Sequence, residues 1–207
     1  MKKTNIDSEQ IHFIGCWNLG NNKLCNDIIN FFENNKNLQK PGVSGKGKNL
    51  EIKKTTDIRV NPIDLKNPKF GVLKQYIKGL HGCFLEYQND WPFLKGMLKT
   101  ADLSSFNIQK YSRGDHFASL HSERTSLNTL HRLFAWMTYL NDVDDGGKTH
   151  FSHYGIKIKP EIGKTLIWPA EWTHAHSGEI LKSGTKYIVT GWIHFPISDS
   201  ENKLSEA

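Results

Sequence analysis

The feature that most restricts the fold is the pattern of residue types from Phe106 onward. Short runs of β-branched and aromatic residues alternate there with turn signals, a pattern typical of strands. The runs cover residues 106–111, 132–140, 155–158, 165–168 and 186–195. Because no helical pattern separates them, we expect an antiparallel sandwich or barrel.

The N-terminal half shows helical periodicity instead. One apolar face predicts a helix from Lys23 to about residue 34, capped by Asn22: Cys25, Ile28, Ile29 and Phe32. A longer stripe predicts a second helix over residues 69–88: Val72, Leu73, Tyr76, Ile77, Leu80, Phe84 and Tyr87. Residues 11–17 predict a strand, and residues 36–53 a loop. The predicted fold class is therefore α+β, with N-terminal helices supporting a double-stranded β-helix, the cupin-like jelly roll.

Length and composition set the broad class. A chain of 207 residues suits one domain, which we expect to comprise a support region (1–105), a jelly-roll core (106–196) and a C-terminal tail (197–207). The sequence has no apolar run long enough for a membrane helix and no signal-peptide pattern. Cys16, Cys25 and Cys83 are widely spaced, which predicts reduced thiols in the cytoplasm and disfavours a thiolate zinc site.

The charge is the only feature that points to nucleic acid. The net charge is +6 and the pI about 9.1. The lysines are scattered among acids rather than gathered in a patch, so nucleic-acid binding is disfavoured. The sequence indicates no oligomeric state.

A metal site is predicted from the spacing of imidazole and carboxylate groups. His121 and Glu123 are two residues apart, so on a strand both side chains share one face. His174 or His176 can supply a third ligand. Two histidines and one carboxylate on one face of an octahedral ion are typical of non-haem Fe(II) oxygenases. The other histidines, such as His131, His150, His153 and His194, are expected to have no metal role.

Several ordered motifs resemble the prolyl 4-hydroxylase-like family of Fe(II)/2-oxoglutarate oxygenases. They lie between about residues 106 and 195: Tyr111-Ser-Arg-Gly114 before Phe117 and His121, Arg132 before Tyr139-Leu140-Asn141, Gly146-Gly147-Lys-Thr-His-Phe151, and Ile158-Lys-Pro160-Glu-Ile-Gly163. Gly184, Lys186 and Trp192 then follow His176 at the family's offsets of eight, ten and sixteen residues. This spacing selects His176 over His174 as the second histidine.

The resemblance implies a site and its cofactors. Fe(II) would be held by the catalytic residues His121, Glu123 and His176, with 2-oxoglutarate, O2 and ascorbate as co-substrates and reductant. Tyr111 and Lys186 would bind the far carboxylate of 2-oxoglutarate, and Trp192 would line the pocket near the metal. Arg132, Phe117 and His174 are the candidates for substrate contact. Lys186 also has a physical argument, because a lysine buried in an apolar strand requires an anionic partner.

Three residues depart from the family pattern. Glu123 stands where the family usually has Asp, Phe117 replaces a tyrosine, and Ala135 replaces a threonine; the interval from Phe117 to His121 is also one residue longer. The implied function is hydroxylation of a prolyl residue in a peptide or protein, or of a related amino acid, with 2-oxoglutarate converted to succinate and CO2. Two alternatives stay open: an oxygenase acting on nucleic acid, and a non-catalytic metal-binding jelly roll. The segment around His174 and His176 resembles microbial and viral sequences, which favours such an origin.

Overall fold

The computed structural model describes residues 1–6, 11–43, 49–98 and 102–195. The predicted tail (197–207) and the middle of the predicted loop (36–53) lie outside these residues. The described part of that loop contains a 3-10 turn, Lys36–Leu38, and a two-residue strand.

In the N-terminal half, the described residues form three α-helices: α1 (Asn22–Asn34), α2 (Gly71–Asp90) and α3 (Phe93–Met97). Helix α1 is capped by Asn21 rather than by Asn22, because the side chain of Asn21 accepts a hydrogen bond from the Leu24 amide at 3.0 Å. Helix α2 begins and ends two residues later than predicted. No helix in the described ranges is both long and apolar enough to cross a membrane.

The larger sheet is antiparallel and has nine strands within the ranges that the structure describes. They are β1 (Lys2–Lys3), β2 (Gly15–Asn18), β3 (Lys40–Pro41), β4 (Thr56–Val60), β5 (Asp102–Leu103), β6 (Phe106–Tyr111), β8 (Arg132–Tyr139), β11 (Lys164–Pro169) and β13 (Lys186–His194). The order across the sheet is β1-β2-β11-β8-β13-β6-β4-β3, and β5 also pairs with β13. Sequence neighbours are therefore rarely sheet neighbours, as in a jelly roll.

The smaller sheet, as far as the chain is described, contains four short antiparallel strands. They are β7 (Phe117–His121), β9 (Thr149–Phe151), β10 (Ile156–Ile158) and β12 (His176–Gly178), in the order β10-β9-β12-β7. The two antiparallel sheets and the supporting helices confirm the predicted α+β jelly roll.

Two apolar clusters divide the interior. One lies between α1, α2 and the outer face of the larger sheet, and includes Phe32, Tyr76 and Val189. The other lies on the opposite face of that sheet and includes Phe151 and Ile158 of the smaller sheet. The alternation of side chains along β13 sends Val189 to the first cluster and Ile188 to the second.

The strand predictions found the long strands of the larger sheet and missed most of the short strands. Strand β6 has its predicted bounds, and β8, β11 and β13 differ from theirs by one residue at one or both ends. Strand β10 was predicted one residue too long, whereas strands of three to five residues elsewhere were not predicted: β4, β7, β9 and β12. The predicted strand 11–17 begins only at Gly15, since Phe13 has a φ of 53°, which is incompatible with a strand.

Candidate metal centre

Three potential metal ligands meet between β7 and β12. His121 ends β7 and His176 begins β12, and the two residues are direct partners across these antiparallel strands. Strand pairing therefore joins two histidines that are distant in sequence. Glu123 follows β7, and its Oε1 lies 3.8 Å from His121 Nε2 and 3.5 Å from His176 Nε2. The three ligand atoms lie within 4.8 Å of one another.

The local explanation for Glu123 was wrong. His121 and Glu123 were expected on one strand face, but β7 ends at His121 and Glu123 lies in the connection that follows. The carboxylate reaches the imidazoles through a bend in the backbone and a long side chain rather than through strand alternation.

Both imidazoles are oriented by backbone carbonyl groups. His121 Nδ1 lies 2.8 Å from the Ser119 oxygen, and His176 Nδ1 lies 3.0 Å from the His174 oxygen. A carbonyl only accepts, so each Nδ1 must carry the hydrogen and each Nε2 keeps a free lone pair. A hydrogen bond from Nδ1 to a backbone carbonyl is common among histidine ligands of metals. The two Nε2 atoms and one carboxylate oxygen thus fit a divalent ion of the iron type.

The protonation states suit metal binding. Burial, followed by the nearby His176, lowers the pKa of His121 to about 4, so its imidazole is neutral at pH 7. Burial by itself would raise the pKa of Glu123, but His176, His121 and the hydrogen bond from Trp192 outweigh it and lower that pKa to about 2. A neutral imidazole and an ionised carboxylate are the forms that coordinate metals.

Lys186 and Tyr111 form a buried pair at the ends of neighbouring strands. They are direct partners between β13 and β6, and Lys186 Nζ lies 4.2 Å from the centroid of the Tyr111 ring. Each residue is 3% exposed. Lys186 Nζ donates to the Gly147 oxygen at 2.9 Å, and Tyr111 Oη donates to Gln109 Oε1 at 2.8 Å. A Cβ added to Gly147 would lie 3.3 Å from Lys186 Cδ, so the absence of a side chain there lets the lysine pass.

The Lys186 ammonium is short of negative charge. Within the described ranges no carboxylate lies within 4 Å of it. Burial lowers its pKa to about 8, against a weak opposing effect of Glu179. Burial also holds the pKa of Tyr111 well above its usual range, so the phenol keeps its proton as a donor. The pair can therefore bind a carboxylate.

The other predicted site residues surround the ligands. Trp192 Nε1 donates to Glu123 Oε2 at 2.7 Å, and the Arg132 guanidinium lies 3.7 Å from the centroid of the Trp192 ring. Phe117 stacks on His121, with ring centroids 3.9 Å apart.

His174 is buried rather than open to a substrate. Its Nε2 lies 2.8 Å from the His12 oxygen, and its own carbonyl oxygen accepts from His176 Nδ1. In this position His174 supports the orientation of His176.

Two residues near the centre were missed by the sequence reasoning. Gln109 holds the Tyr111 hydroxyl and donates to Asp57 Oδ2 at 3.3 Å. Trp168 packs edge-on against His176 with ring centroids 5.1 Å apart. Strand alternation gave a signal for Gln109, since it lies two residues before Tyr111 and faces the same side.

Residues 106–194 match the family model described as the 2OG-Fe(II) oxygenase superfamily. This match includes all three potential metal ligands together with Tyr111 and Lys186. The match covers less than half of the chain, and this part of it resembles the 2OG-Fe(II) oxygenase superfamily. The description of that superfamily names Fe(II) and 2OG, which agrees with the donor set between β7 and β12 and with the buried ammonium of Lys186.

Two curated proteins that this chain is similar to are named as prolyl hydroxylases. The chain is 27% identical to human prolyl 4-hydroxylase subunit alpha-1 over 75 residues, which are 33% of this chain and 14% of that protein. It is 24% identical to probable prolyl 4-hydroxylase 9 of Arabidopsis thaliana over 123 residues, which are 47% of this chain and 43% of that protein. The chain thus spans less than half the length of these relatives. The resemblance to prolyl 4-hydroxylase-like oxygenases is confirmed.

Solved structures share the fold over nearly the whole chain. A viral collagen prolyl hydroxylase from Paramecium Bursaria Chlorella virus-1, solved with 2OG, has a TM-score of 0.64 at 18% identity and matches 89% of this chain and 97% of that one. A Pseudomonas putida prolyl-4-hydroxylase has a TM-score of 0.68 at 15% identity, matching 90% and 94% of the two chains. These likenesses establish the jelly-roll architecture of the chain.

Proposed function

We propose that this chain is an Fe(II)/2-oxoglutarate-dependent hydroxylase of prolyl residues in a peptide or protein, or of a related amino-acid substrate. One observation carries the proposal: His121, Glu123 and His176 converge in an oxygenase whose buried Lys186 has no acidic partner among the described residues. A buried ammonium of this kind is costly unless an anion joins it, and the dicarboxylate 2-oxoglutarate is such an anion.

Each site residue has a distinct role in this proposal. His121, Glu123 and His176 hold the iron, and Lys186 with Tyr111 binds the far carboxylate of 2-oxoglutarate. When bound, the iron supplies the redox chemistry by which 2-oxoglutarate, O2 and a substrate C–H become succinate, CO2 and a C–OH. Ascorbate serves as the reductant that keeps the metal as Fe(II).

The substrate side is proposed from the relatives and from the exposed residues beside the ligands. Relatives named as prolyl hydroxylases support a peptide substrate, and one of similar fold, from Trichoplax adhaerens, was solved with a peptide fragment. Leu120, Leu127 and Leu130 are exposed apolar side chains on either side of Glu123 in sequence. They would contact the peptide together with Phe117 and Arg132.

Succinate formation tests the oxygenase reaction. Purified protein with Fe(II), ascorbate and 2-oxoglutarate should produce succinate slowly without a substrate. His176→Ala should abolish this turnover, whereas His81→Ala, which changes an exposed histidine on α2, should preserve it. Equal succinate formation by the wild type and His176→Ala would contradict the proposed ligand set.

A peptide panel tests the substrate class. Proline-containing peptides should gain one oxygen atom in mass spectrometry and should speed succinate formation, and matched peptides with alanine for proline should do neither. Hydroxylation of nucleic acid, with no peptide modified, would contradict the peptide proposal and leave the iron site intact.

We also propose that residues 1–207 form one oxygenase domain. Support comes from the outer cluster, in which Phe32 of α1 and Tyr76 of α2 pack with Val189 of β13. A single cooperative unfolding transition, seen alike by far-UV circular dichroism and tryptophan fluorescence, is the expected result.

A further inference from the structure

The two oxygens of the Glu123 carboxylate have different surroundings. Oε1 is the oxygen close to both imidazoles, at 3.8 Å from His121 Nε2 and 3.5 Å from His176 Nε2. Oε2 accepts the indole N–H of Trp192 at 2.7 Å. The two carboxylate oxygens therefore differ in role: Oε1 is available to a metal, and Oε2 accepts a hydrogen bond from the protein.

The Trp192 ring also has a contact on its face. The Arg132 guanidinium carbon lies 3.7 Å from the centroid of the Trp192 ring, which is stacking contact. Arg132 Nη1 also donates to the Glu123 backbone oxygen at 3.0 Å. The same arginine thus fixes the backbone that carries the carboxylate and the ring that binds it.

A glutamate ligand has a particular need for such support. It has one more rotatable bond than an aspartate, and Glu123 lies beyond the end of β7, so the sheet does not fix its backbone. A free glutamate can also present both oxygens to an ion, which would leave fewer positions for a chelating co-substrate.

We infer that Trp192 and Arg132 are positioning residues that restrict Glu123 to a single metal-binding oxygen. The inference rests on the proposed iron site and deepens it. Trp192 contributes the directional hydrogen bond to the carboxylate. Arg132 holds the position of the indole relative to the Glu123 backbone, because it contacts both. The contacts of Trp192 and Arg132 offset the extra length of glutamate relative to aspartate. They also give Arg132 a role beside the metal ligands.

The test measures metal affinity rather than turnover. Trp192→Phe keeps a ring against Arg132 and removes the N–H. The affinity of the protein for Mn(II) or Co(II), measured by competition with a chelator under anaerobic conditions, should fall about 10- to 100-fold, as for other changes beside metal ligands. Arg132→Met should lower it by a smaller factor, since the hydrogen bond from Trp192 remains.

The chain offers a closely matched control. Trp17 Nε1 donates to Glu86 Oε2 at 2.8 Å, an indole–glutamate hydrogen bond between β2 and α2. Trp17→Phe removes the same chemical interaction away from the metal, and it should leave metal affinity unchanged. Thermal unfolding of the metal-free variants shows which of them are folded at the assay temperature.

A double-mutant cycle separates positioning from a general structural effect. In Glu123→Asp the shorter carboxylate cannot keep both its contact with Trp192 and its place between the imidazoles. The effect of Trp192→Phe on Mn(II) affinity should therefore shrink to less than about threefold in that background, because only coupled residues are non-additive. The effect of Trp17→Phe should be the same in both backgrounds.

The outcomes distinguish this inference from the proposed function. If the wild type binds Mn(II) and His176→Ala does not, the site stands; equal affinities of the wild type and Trp192→Phe would then overturn the positioning role alone. An equal loss from Trp192→Phe in both backgrounds would also overturn it. If the wild type fails to bind Mn(II), Co(II) or Fe(II), both the inference and the proposed site are wrong.

Discussion

Two polar groups buried on opposite faces of the larger sheet differ in charge. On the face covered by α1 and α2, a buried neutral hydroxyl has a partner: Tyr76 Oη lies 2.7 Å from Thr138 Oγ1. On the opposite face, the buried Lys186 ammonium donates to a carbonyl oxygen and lies over an aromatic ring, without a carboxylate partner among the described residues. The first face thus buries a paired neutral group, and the second buries a cation that the carboxylate of a ligand can pair with.

Strand β13 shows this division within a few residues. Val189 and Ile193 point to the helix-covered cluster, whereas Lys186 and Trp192 lie on the side of the metal centre. Because side chains alternate along a strand, β13 supplies core residues to one face and site residues to the other. Mutations on the two faces should therefore produce different phenotypes.

The largest effect is expected at the metal centre. Glu123→Ala should reduce 2-oxoglutarate turnover at least about 100-fold, a loss of roughly 2.7 kcal/mol of transition-state stabilisation. The metal-free protein should keep its thermal midpoint within about 4 °C, since the change amounts to less than about 1 kcal/mol. Succinate assays and calorimetry check the two parts. Unfolding of the Glu123→Ala variant at the assay temperature would contradict the expectation that mutations at the metal centre leave stability unchanged.

The converse variant lies on the helix-covered face. Phe32→Ala truncates a fully buried ring that packs edge-on against Tyr187, so the free energy of unfolding should fall by about 3–5 kcal/mol. Urea denaturation measures the loss. Mn(II) affinity at a temperature where the variant is folded should match that of the wild type. A change in that affinity would show that the two faces are coupled.

Removal of the buried ammonium should affect binding and stability in opposite directions. Lys186→Met should weaken 2-oxoglutarate binding about 10- to 100-fold, because a charge-assisted hydrogen bond is lost. The metal-free protein should become more stable by about 1–3 kcal/mol at pH 7, since a buried charge without an acidic partner is removed. Titration calorimetry and urea denaturation give the two values. A destabilised variant would show that Lys186 is structural.

The smallest effect is a dependence of stability on pH. The pKa of Lys186 is lowered by burial from 10.5 to about 8, so between these values the unfolded chain binds a proton that the folded chain does not. The contribution of Lys186 to stability should therefore rise with pH across this window. Tyrosines and cysteines also titrate there, so the quantity to measure is the difference between the wild type and Lys186→Met. A difference that does not change with pH contradicts the lowered pKa.

The sequence predicted most of the larger sheet because its strands have strong patterns. Strand β13 has nine residues with β-branched and aromatic side chains, and β6 begins and ends where predicted. Helices α1 and α2 were found from their apolar stripes, with errors of one or two residues at the ends, whereas the five-residue helix α3 was not predicted. In the smaller sheet only β10 was predicted among the described strands, because three-residue strands such as β9 carry too little pattern and owe their form to their neighbours.

The sequence predicted which residues group at the candidate site, but it predicted less well how the backbone brings them together. The grouping of His121, Glu123 and His176 agrees with the structure, although Glu123 reaches the group from beyond β7. No local pattern could show that Arg132 lies on Trp192, because the two residues are brought together by the pairing of β8 with β13.

The two histidines of the centre are held by strand register, since His121 faces His176 across β7 and β12. Their separation does not depend on the length of the connections that lie between them along the chain. The exposed turn around Leu127–Thr129 can therefore be lengthened, shortened or exchanged for another sequence while both imidazoles stay in place. This makes that turn a suitable position for sequence changes that are meant to leave the two histidines in place.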